Sequence, residues 1–167
     1  MALNAYLTLR GQKSGEIHGS VTQKGRENKI MVIAVSHEIL SPRDASTGLP
    51  TGKRQHKPFV FTKELDKSSP LLYNVLTTNE NIIEATFEFM GTSIRSTTVA
   101  GVETVRYTVR LTNANIASIN FHMPNTRDPN TARFAEYEEI ALTYEQITWT
   151  WSDGGIMADD SWISPRI

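Results

Sequence analysis

The chain has 167 residues, of which 39% are hydrophobic and 21% are charged, a composition typical of one globular domain. It contains no cysteine, which excludes disulfide bonds and cysteine-ligated zinc. No apolar run is long enough to cross a membrane, and residues 1–11 lack the basic and apolar blocks of a secretory signal peptide. The net charge of −1 argues against a general nucleic-acid binder, because neutralising phosphates requires a basic surface.

The charges are divided unevenly along the chain. Residues 1–57 hold nine basic and four acidic residues, a balance of +5, whereas residues 58–167 hold eight and fourteen, a balance of −6. Either these charges scatter over one surface, or the molecule has two unlike ends that could meet head to tail.

The first part of the chain predicts strands separated by loops. Residues 3–10 alternate apolar and polar side chains, and residues 30–38 (IMVIAVSHE) are nearly continuously apolar, which predicts a strand covered on both faces. Residues 41–57 contain two prolines, two glycines and no periodicity, which predicts a long loop of the kind that is usually functional or disordered.

A single helix is predicted over about residues 69–77, after a short strand at residues 59–62. Ser69 suits the N-cap, and Pro70 suits the first helical position, where its missing N–H costs nothing. Four apolar residues at helical spacing form the stripe with which this outer helix would pack: Leu71, Leu72, Val75 and Leu76.

The second half returns to a strand pattern at residues 82–90, 105–112 and 115–123. In the first of these the apolar face comprises Ile83, Ala85, Phe87 and Phe89. Residues 136–151 predict one long strand or two strands broken near Glu145, and residues 156–162 predict one more. Roughly eight strands and one helix indicate a mainly β fold, with two antiparallel sheets forming a closed or nearly closed β-barrel that hides the strand edges.

No catalytic motif is present. The four histidines (His18, His37, His56 and His122) have no metal-ligand spacing and are predicted to be polar surface or interface residues. Glu136 and Glu138 could form an acid/base pair, although a solvated strand face is the simpler interpretation. Trp149 and Trp151 could stack on a sugar, although core or interface packing is the commoner use of such a pair. We therefore predict a protein that is not an enzyme and that needs no cofactor or metal.

One long block of the sequence resembles a known family. The block runs from residue 47 to residue 79, and the matching positions are Thr47-Gly48, Thr51-Gly52, Arg54, His56, Pro58-Phe59, Phe61-Thr62-Lys63-Glu64, Asp66, Ser69-Pro70 and Leu72-Tyr73. The runs IMVIAVSHE and YEEIALTYEQITWTWSDGGIMADDSW also match, in order and with similar spacing. Over nearly its whole length the chain resembles the Hcp family, the tube proteins of bacterial type VI secretion systems.

The resemblance implies a single barrel domain over residues 1–167, six copies of which close into a ring with a central channel. Rings would stack into a tube inside a contractile sheath, contact a spike protein, and carry or chaperone small effectors in the lumen, with neither nucleic acid nor membrane insertion involved. The protein would reside in the bacterial cytoplasm before firing and be secreted without a signal peptide.

The resemblance also suggests roles for particular residues. Ser36 would line the pore, with Val32 and Ala34 on the same strand face. The loop of residues 41–57 would contact the next ring through Arg43, Lys53, Arg54 and Lys57. Reversing Lys53 and Arg54 to Glu should then weaken tube formation more than ring formation.

Three other functions remain open from the sequence. A tail-tube protein of a contractile phage would share the architecture. A carbohydrate-binding β-sandwich would use Trp149 and Trp151, and a hydrolase would use Glu136 and Glu138.

Overall fold

The computed structural model describes residues 1–92 and 103–163. Within these residues the elements are β1 (Ala5–Gly11), β2 (Gly15–Ile17), β3 (Ile30–Val32), β4 (Ala34–Ser36), β5 (Ile39–Leu40), β6 (Gln55–His56), β7 (Phe59–Glu64), α1 (Ser69–Thr77), β8 (Ile82–Thr92), β9 (Glu103–His122), β10 (Tyr137–Trp151) and β11 (Ile156–Ser161).

The strands form two antiparallel sheets. Nine strands follow the order β2-β1-β8-β9-β10-β7-β4, with β3 added to β1 and β11 added to β10, while β5 and β6 pair with each other. The predicted mainly β fold with one short helix is thereby confirmed. The described residues hold eleven strands where about eight were expected. β2 was not predicted, residues 30–38 are divided, and β5 and β6 pair at the base of the predicted loop 41–57. The strands predicted separately at residues 105–112 and 115–123 are one continuous strand, β9.

The predicted closure into a barrel is wrong. Residues 30–36 pair with β1 through β3 and with β7 through β4, but they change partner at Ile33, whose N–H donates to the Thr62 carbonyl at 2.9 Å. β3 pairs with β1 and β4 pairs with β7, so no single strand among the described residues is bonded to both β1 and β7. The sheet therefore stays open. Burial follows the same change: Val32 is buried in the core, whereas Ala34 and Ser36 are exposed. The expectation that Val32 and Ala34 share one face is therefore also wrong.

A bulge corrects the predicted face of β8. Gly11 pairs with Ile82 and Arg10 pairs with Glu84, so Ile83 is an extra residue without a register partner on β1. As a result Ile82 and Ala85 both point into the core, and Ile83 is only half-buried. A simple period of two cannot detect such an insertion.

Helix α1 begins with Ser69, and its N-cap is Ser68, which makes no side-chain capping bond. The predicted capping role of Ser69 is wrong because its hydroxyl bonds to Lys63 and Glu138 instead. Leu72 and Val75 are fully buried and Leu76 packs at the edge of the core, but Leu71 is 44% exposed and does not belong to the packed stripe.

Candidate functional site

Residues 38–57, the finger, form an ordered hairpin where a structureless loop was expected. Ile39 pairs with His56 and Leu40 with Gln55, and the Lys57 N–H donates to the Glu38 carbonyl at 3.0 Å. Further out, Arg43 and Pro50 form an isolated bridge. These bonds give the finger a defined direction before it meets any partner.

The tip of the finger is held by one carboxylate. Asp44 accepts hydrogen bonds from the backbone N–H groups of Ser46 and Thr47 at 3.0 and 2.8 Å, and from both of their hydroxyls. The Ser46 hydroxyl foremost, and then the Thr47 donors, lower the pKa of Asp44 to about 2. Next to this turn Leu49 projects with 64% of its surface exposed. The tip is thus a pre-organised turn that presents one apolar side chain.

The base of the finger is fixed to the end of the chain by a group of side chains that we call the clasp: His37, Arg54, His56, Tyr144 and Asp160. Two nitrogens of Arg54 donate hydrogen bonds to the Asp160 carboxylate, one of them 2.6 Å from Oδ1. Arg54 also donates to the Ser161 carbonyl at 2.8 Å. His56 Nε2 lies 2.8 Å from the same carboxylate. The finger is therefore bonded to β11.

The clasp continues into the core through a tyrosine. The hydroxyl of Tyr144 lies 2.8 Å from Nδ1 of His56 and 2.7 Å from Nε2 of His37. If His56 donates Nε2–H to Asp160, its Nδ1 accepts the single Tyr144 proton, and Tyr144 in turn accepts from His37. The chain of donors then runs in one direction, from His37 to Asp160.

The pKa shifts of the clasp residues agree with this order of hydrogen-bond donors. The hydrogen bond from Arg54 is the largest cause that lowers the pKa of Asp160 to about 2. Burial is the main reason that the pKa of Tyr144 is raised, and the negative charge of Asp160 adds to it. Burial, followed by the proximity of His56, lowers the pKa of His37. At neutral pH the clasp therefore contains a carboxylate, a guanidinium, a neutral tyrosine and a neutral His37.

Two of the residues predicted to contact the next ring bind within the chain itself. Arg54 is committed to Asp160, and the Lys53 ammonium donates to the carbonyl of Trp162, so both anchor the finger within the subunit. Arg43 and Lys57 are exposed on the finger arms. Ser36, the predicted pore residue, is exposed at the end of β4, directly before the clasp.

The histidines were predicted to be polar surface or interface residues, but His56 is buried within the chain, between Tyr144 and Asp160. Nothing in the sequence spacing places His37, Tyr144 and Asp160 together, since more than 100 residues separate the first two. The one available signal was His56 itself, within the block that resembles the family.

A second polar cluster lies beneath α1 and overturns the prediction of a solvated glutamate face. Lys63 and Glu138 are register partners on β7 and β10, and both point into the protein with their charged atoms 3.2 Å apart. Both are buried, whereas Glu136 lies exposed outside the strand. Lys63 also bonds Asp66 and Ser69, each at 2.9 Å. The two glutamates therefore do not face each other as an acid/base pair.

The tryptophan pair does not form an open platform. Trp149 packs against the core, and the guanidinium carbon of Arg106 lies 5.4 Å from the ring centroid of Trp151. Across residues 1–92 and 103–163, no group of three or more potential ligands is arranged to hold a metal ion. None of the helices in that part of the chain is long and apolar enough to span a membrane.

Comparison with known proteins identifies the family. The model of the family described as "Type VI secretion system effector, Hcp" matches residues 6–151. The chain belongs to the Hcp family. The "Major exported protein" of Pseudomonas aeruginosa is 38% identical, with 99% of this chain and 98% of that protein covered.

Solved structures of family members are also similar. The structure of a variant of Hcp1 from E. coli EAEC 042 is 35% identical, with a TM-score of 0.82 over 96% of this chain and 99% of that one. The secreted protein Hcp3 from Pseudomonas aeruginosa is 30% identical, with a TM-score of 0.75 over 96% and 99%. Membership of this family supports a type VI secretion tube protein and favours self-association and export.

Proposed function

We propose that six copies of this Hcp chain close into a ring, that rings stack head to tail into the inner tube, and that the tube carries small effectors. Contraction of a surrounding sheath would drive the tube and its spike out of the cell. The observation that carries the proposal is the finger: a pre-organised extension that is anchored at its base and projects beyond it, on a chain of which 99% aligns with an exported relative.

The finger suits a contact between rings for energetic reasons. A loop that orders only on binding loses conformational entropy at that moment, whereas a hairpin held by its own bonds and by the clasp has lost most of it already. Its exposed charges are mainly basic, through Arg43 and Lys57, and would attract an acidic face of the next ring.

Ser36 remains our candidate for the channel wall. Its register partner on β7 is Val60, followed by Ala141 on β10 and Ser118 on β9. This row of small side chains crosses four strands without a bulky group, which suits a wall past which a folded protein must slide. An effector would meet a smooth and weakly polar surface there.

The first test is the solution mass by light scattering after size exclusion, with negative-stain images of the same fraction. A mass six times that of the 18.7 kDa chain, together with annular particles, is expected. A stable monomer at high concentration without annuli would refute the ring. Because assembly follows mass action, the measurement should span a range of protein concentrations.

A further inference from the structure

A surface cleft of about 320 Å³, which we call the cleft, lies between the start of the chain and the end of β7 and has no role in the features described so far. Tyr6, Val21, Met31 and Leu65 supply its apolar walls, and Glu64 and Asp66 supply carboxylates. Leu65 is 45% exposed and adjoins the other apolar side chains of the cleft.

The cleft and the finger lie at opposite ends of the same strand. β7 begins at Phe59, directly after the finger, and ends at Glu64, on the rim of the cleft. Six residues of extended chain span about 17–20 Å. The base of the finger bonds to Tyr144 and to Asp160, which pairs with Ile147 on β10. Both Tyr144 and Ile147 lie further along β10 than Leu142, the partner of Phe59 at the start of β7. The finger therefore extends away from the cleft, which lies at the other end of β7.

The two ends are chemically complementary. The finger presents Leu49 at its tip and the exposed cations of Arg43 and Lys57 on its arms, while the cleft presents exposed Leu65 beside the exposed carboxylate of Glu64. Asp66 adds little to this attraction, because its charge is already paired with Lys63. A leucine side chain is small enough to enter a cleft of this volume.

We infer that the partner of the finger is the cleft of a second copy of this chain, with Leu49 seated against Leu65 and a finger cation facing Glu64. This inference rests on the proposed stacking of rings and identifies the surface of the next ring that receives the finger. Since donor and receiver lie at opposite ends of one subunit, the contact is heterologous and does not close on itself, which generates a filament.

The absence of cysteine permits a direct test. In the double variant Leu49→Cys/Leu65→Cys, the two thiols would lie in different subunits and within reach of a disulfide, which needs Cα atoms about 4.4–6.8 Å apart. Assembled protein is treated with oxidised glutathione, the electron acceptor, and separated on a non-reducing gel. We expect a ladder of covalent multimers that disappears on reduction.

The matched control is Leu49→Cys/Ile156→Cys. Ile156 is 69% exposed, but it begins β11 opposite Trp151, at the far end of β10 from the Tyr137–Glu64 pair beside the cleft. This pair should give no ladder. Separately, Leu49→Ser and Leu65→Ser should each weaken stacking at least about tenfold while leaving the mass of the ring unchanged.

The outcomes separate the two proposals. Stacked tubes with the ladder from Leu49→Cys/Leu65→Cys support both. Stacked tubes without that ladder, or with an equal ladder in the control, overturn the cleft as the receiver and leave the tube intact. Neither tubes nor ladder, at concentrations where rings are present, overturns the stacking and the cleft together.

Discussion

At the residue scale the least predictable feature is the hydroxyl of Tyr144, which two histidines share. A phenol has one proton to donate, so it can serve His56 as donor only while it accepts from His37. Burial, followed by the proximity of His56, lowers the pKa of His37, so the stability of the clasp should depend on pH through His37.

The first prediction concerns His37. Its pKa is lowered in the folded protein relative to about 6.5 in the unfolded chain, so the unfolded state takes up the proton first as the pH falls. Stability is fully present above pH 6.5 and is lost as the pH falls from there through the folded pKa. Urea unfolding at pH 8 and pH 5 should show a smaller loss for His37→Gln than for the wild type.

The comparison at pH 8 supplies the control for this experiment. Both proteins carry an uncharged side chain at position 37 there, so any difference at pH 8 reports the altered hydrogen bond to Tyr144. Equal losses of stability between pH 8 and pH 5 in the two proteins would contradict the assignment.

At the scale of elements the lone helix needs tertiary contacts, because nine residues are too few to form a stable helix alone. Its first turn rests on the cluster beneath it, where Ser69 donates to Glu138 at 3.0 Å and accepts from Lys63. Burial alone would raise the pKa of Asp66, but hydrogen bonds from Ser68 and Lys63 outweigh this and lower it. Asp66 thus remains ionised, and the hydrogen bonds of the cluster hold α1 against the sheet.

The second prediction compares two adjacent leucines on this helix. Leu72→Ala should destabilise the fold by about 2–5 kcal/mol, because it removes a fully buried side chain and leaves a cavity. Leu71→Ala is the matched control and should change stability by less than about 0.5 kcal/mol, since Leu71 is exposed. Chemical denaturation measures both, and similar losses would contradict the observed orientation of α1.

The third prediction concerns the buried pair. Lys63→Met should cost about 3–5 kcal/mol, because it leaves buried Glu138 without its cationic partner, with one carboxylate oxygen already lacking a hydrogen-bond partner. The double variant Lys63→Met/Glu138→Leu should recover much of that loss, since no uncompensated charge remains at the pair. If the free energy of unfolding of the double variant is no higher than that of Lys63→Met, apolar side chains cannot replace the buried ion pair at this position.

At the scale of the whole molecule, the feature that matters is that the two ends of β7 differ. One end continues into the basic finger and the other opens into the cleft. An assembly built on such ends has one polarity, and every subunit in a column uses both of its contacts.

The fourth prediction tests the charge of the finger. Reversing Lys53 and Arg54 would also break their bonds to Trp162 and Asp160, so a loss of stacking would be ambiguous. Arg43→Glu/Lys57→Glu is the cleaner variant and should weaken stacking more than ring closure. Sedimentation of tubes and rings measures the two steps, and unchanged stacking at low salt would exclude the charge contribution.

Ionic strength provides an independent control for that prediction. Stacking that depends on exposed charges should weaken as the salt concentration rises, because the Debye length falls from about 10 Å at 0.1 M to about 3 Å at 1 M. The reversed variant should show a smaller dependence on salt than the wild type.

Much of the fold was predictable because local rules set it. Alternation predicted strands at residues 82–90 and 105–112, which lie within β8 and β9, and Pro70 together with the apolar spacing located α1. Two failures occurred where the chain departs from a fixed period, at the bulge of Ile83 and at the change of partner at Ile33. The third was Glu138, which keeps the period of β10 but is buried at a position where its charge suggested solvent. The candidate site was visible only in part, through His56 and the basic residues of the finger.

The sequence by itself determined the class of fold, the place of the helix and the family, because periodicity, the preference of proline for the first helical turn and similarity to known chains all act over short stretches or position by position. Only the tertiary structure decided that the predicted loop is a pre-organised finger, that Arg54 binds Asp160 across more than 100 residues, and that a cleft lies at the other end of β7. These features depend on which distant residues the sheet brings together. Strand register fixes that choice, and register results from the whole core and cannot be derived from any one segment.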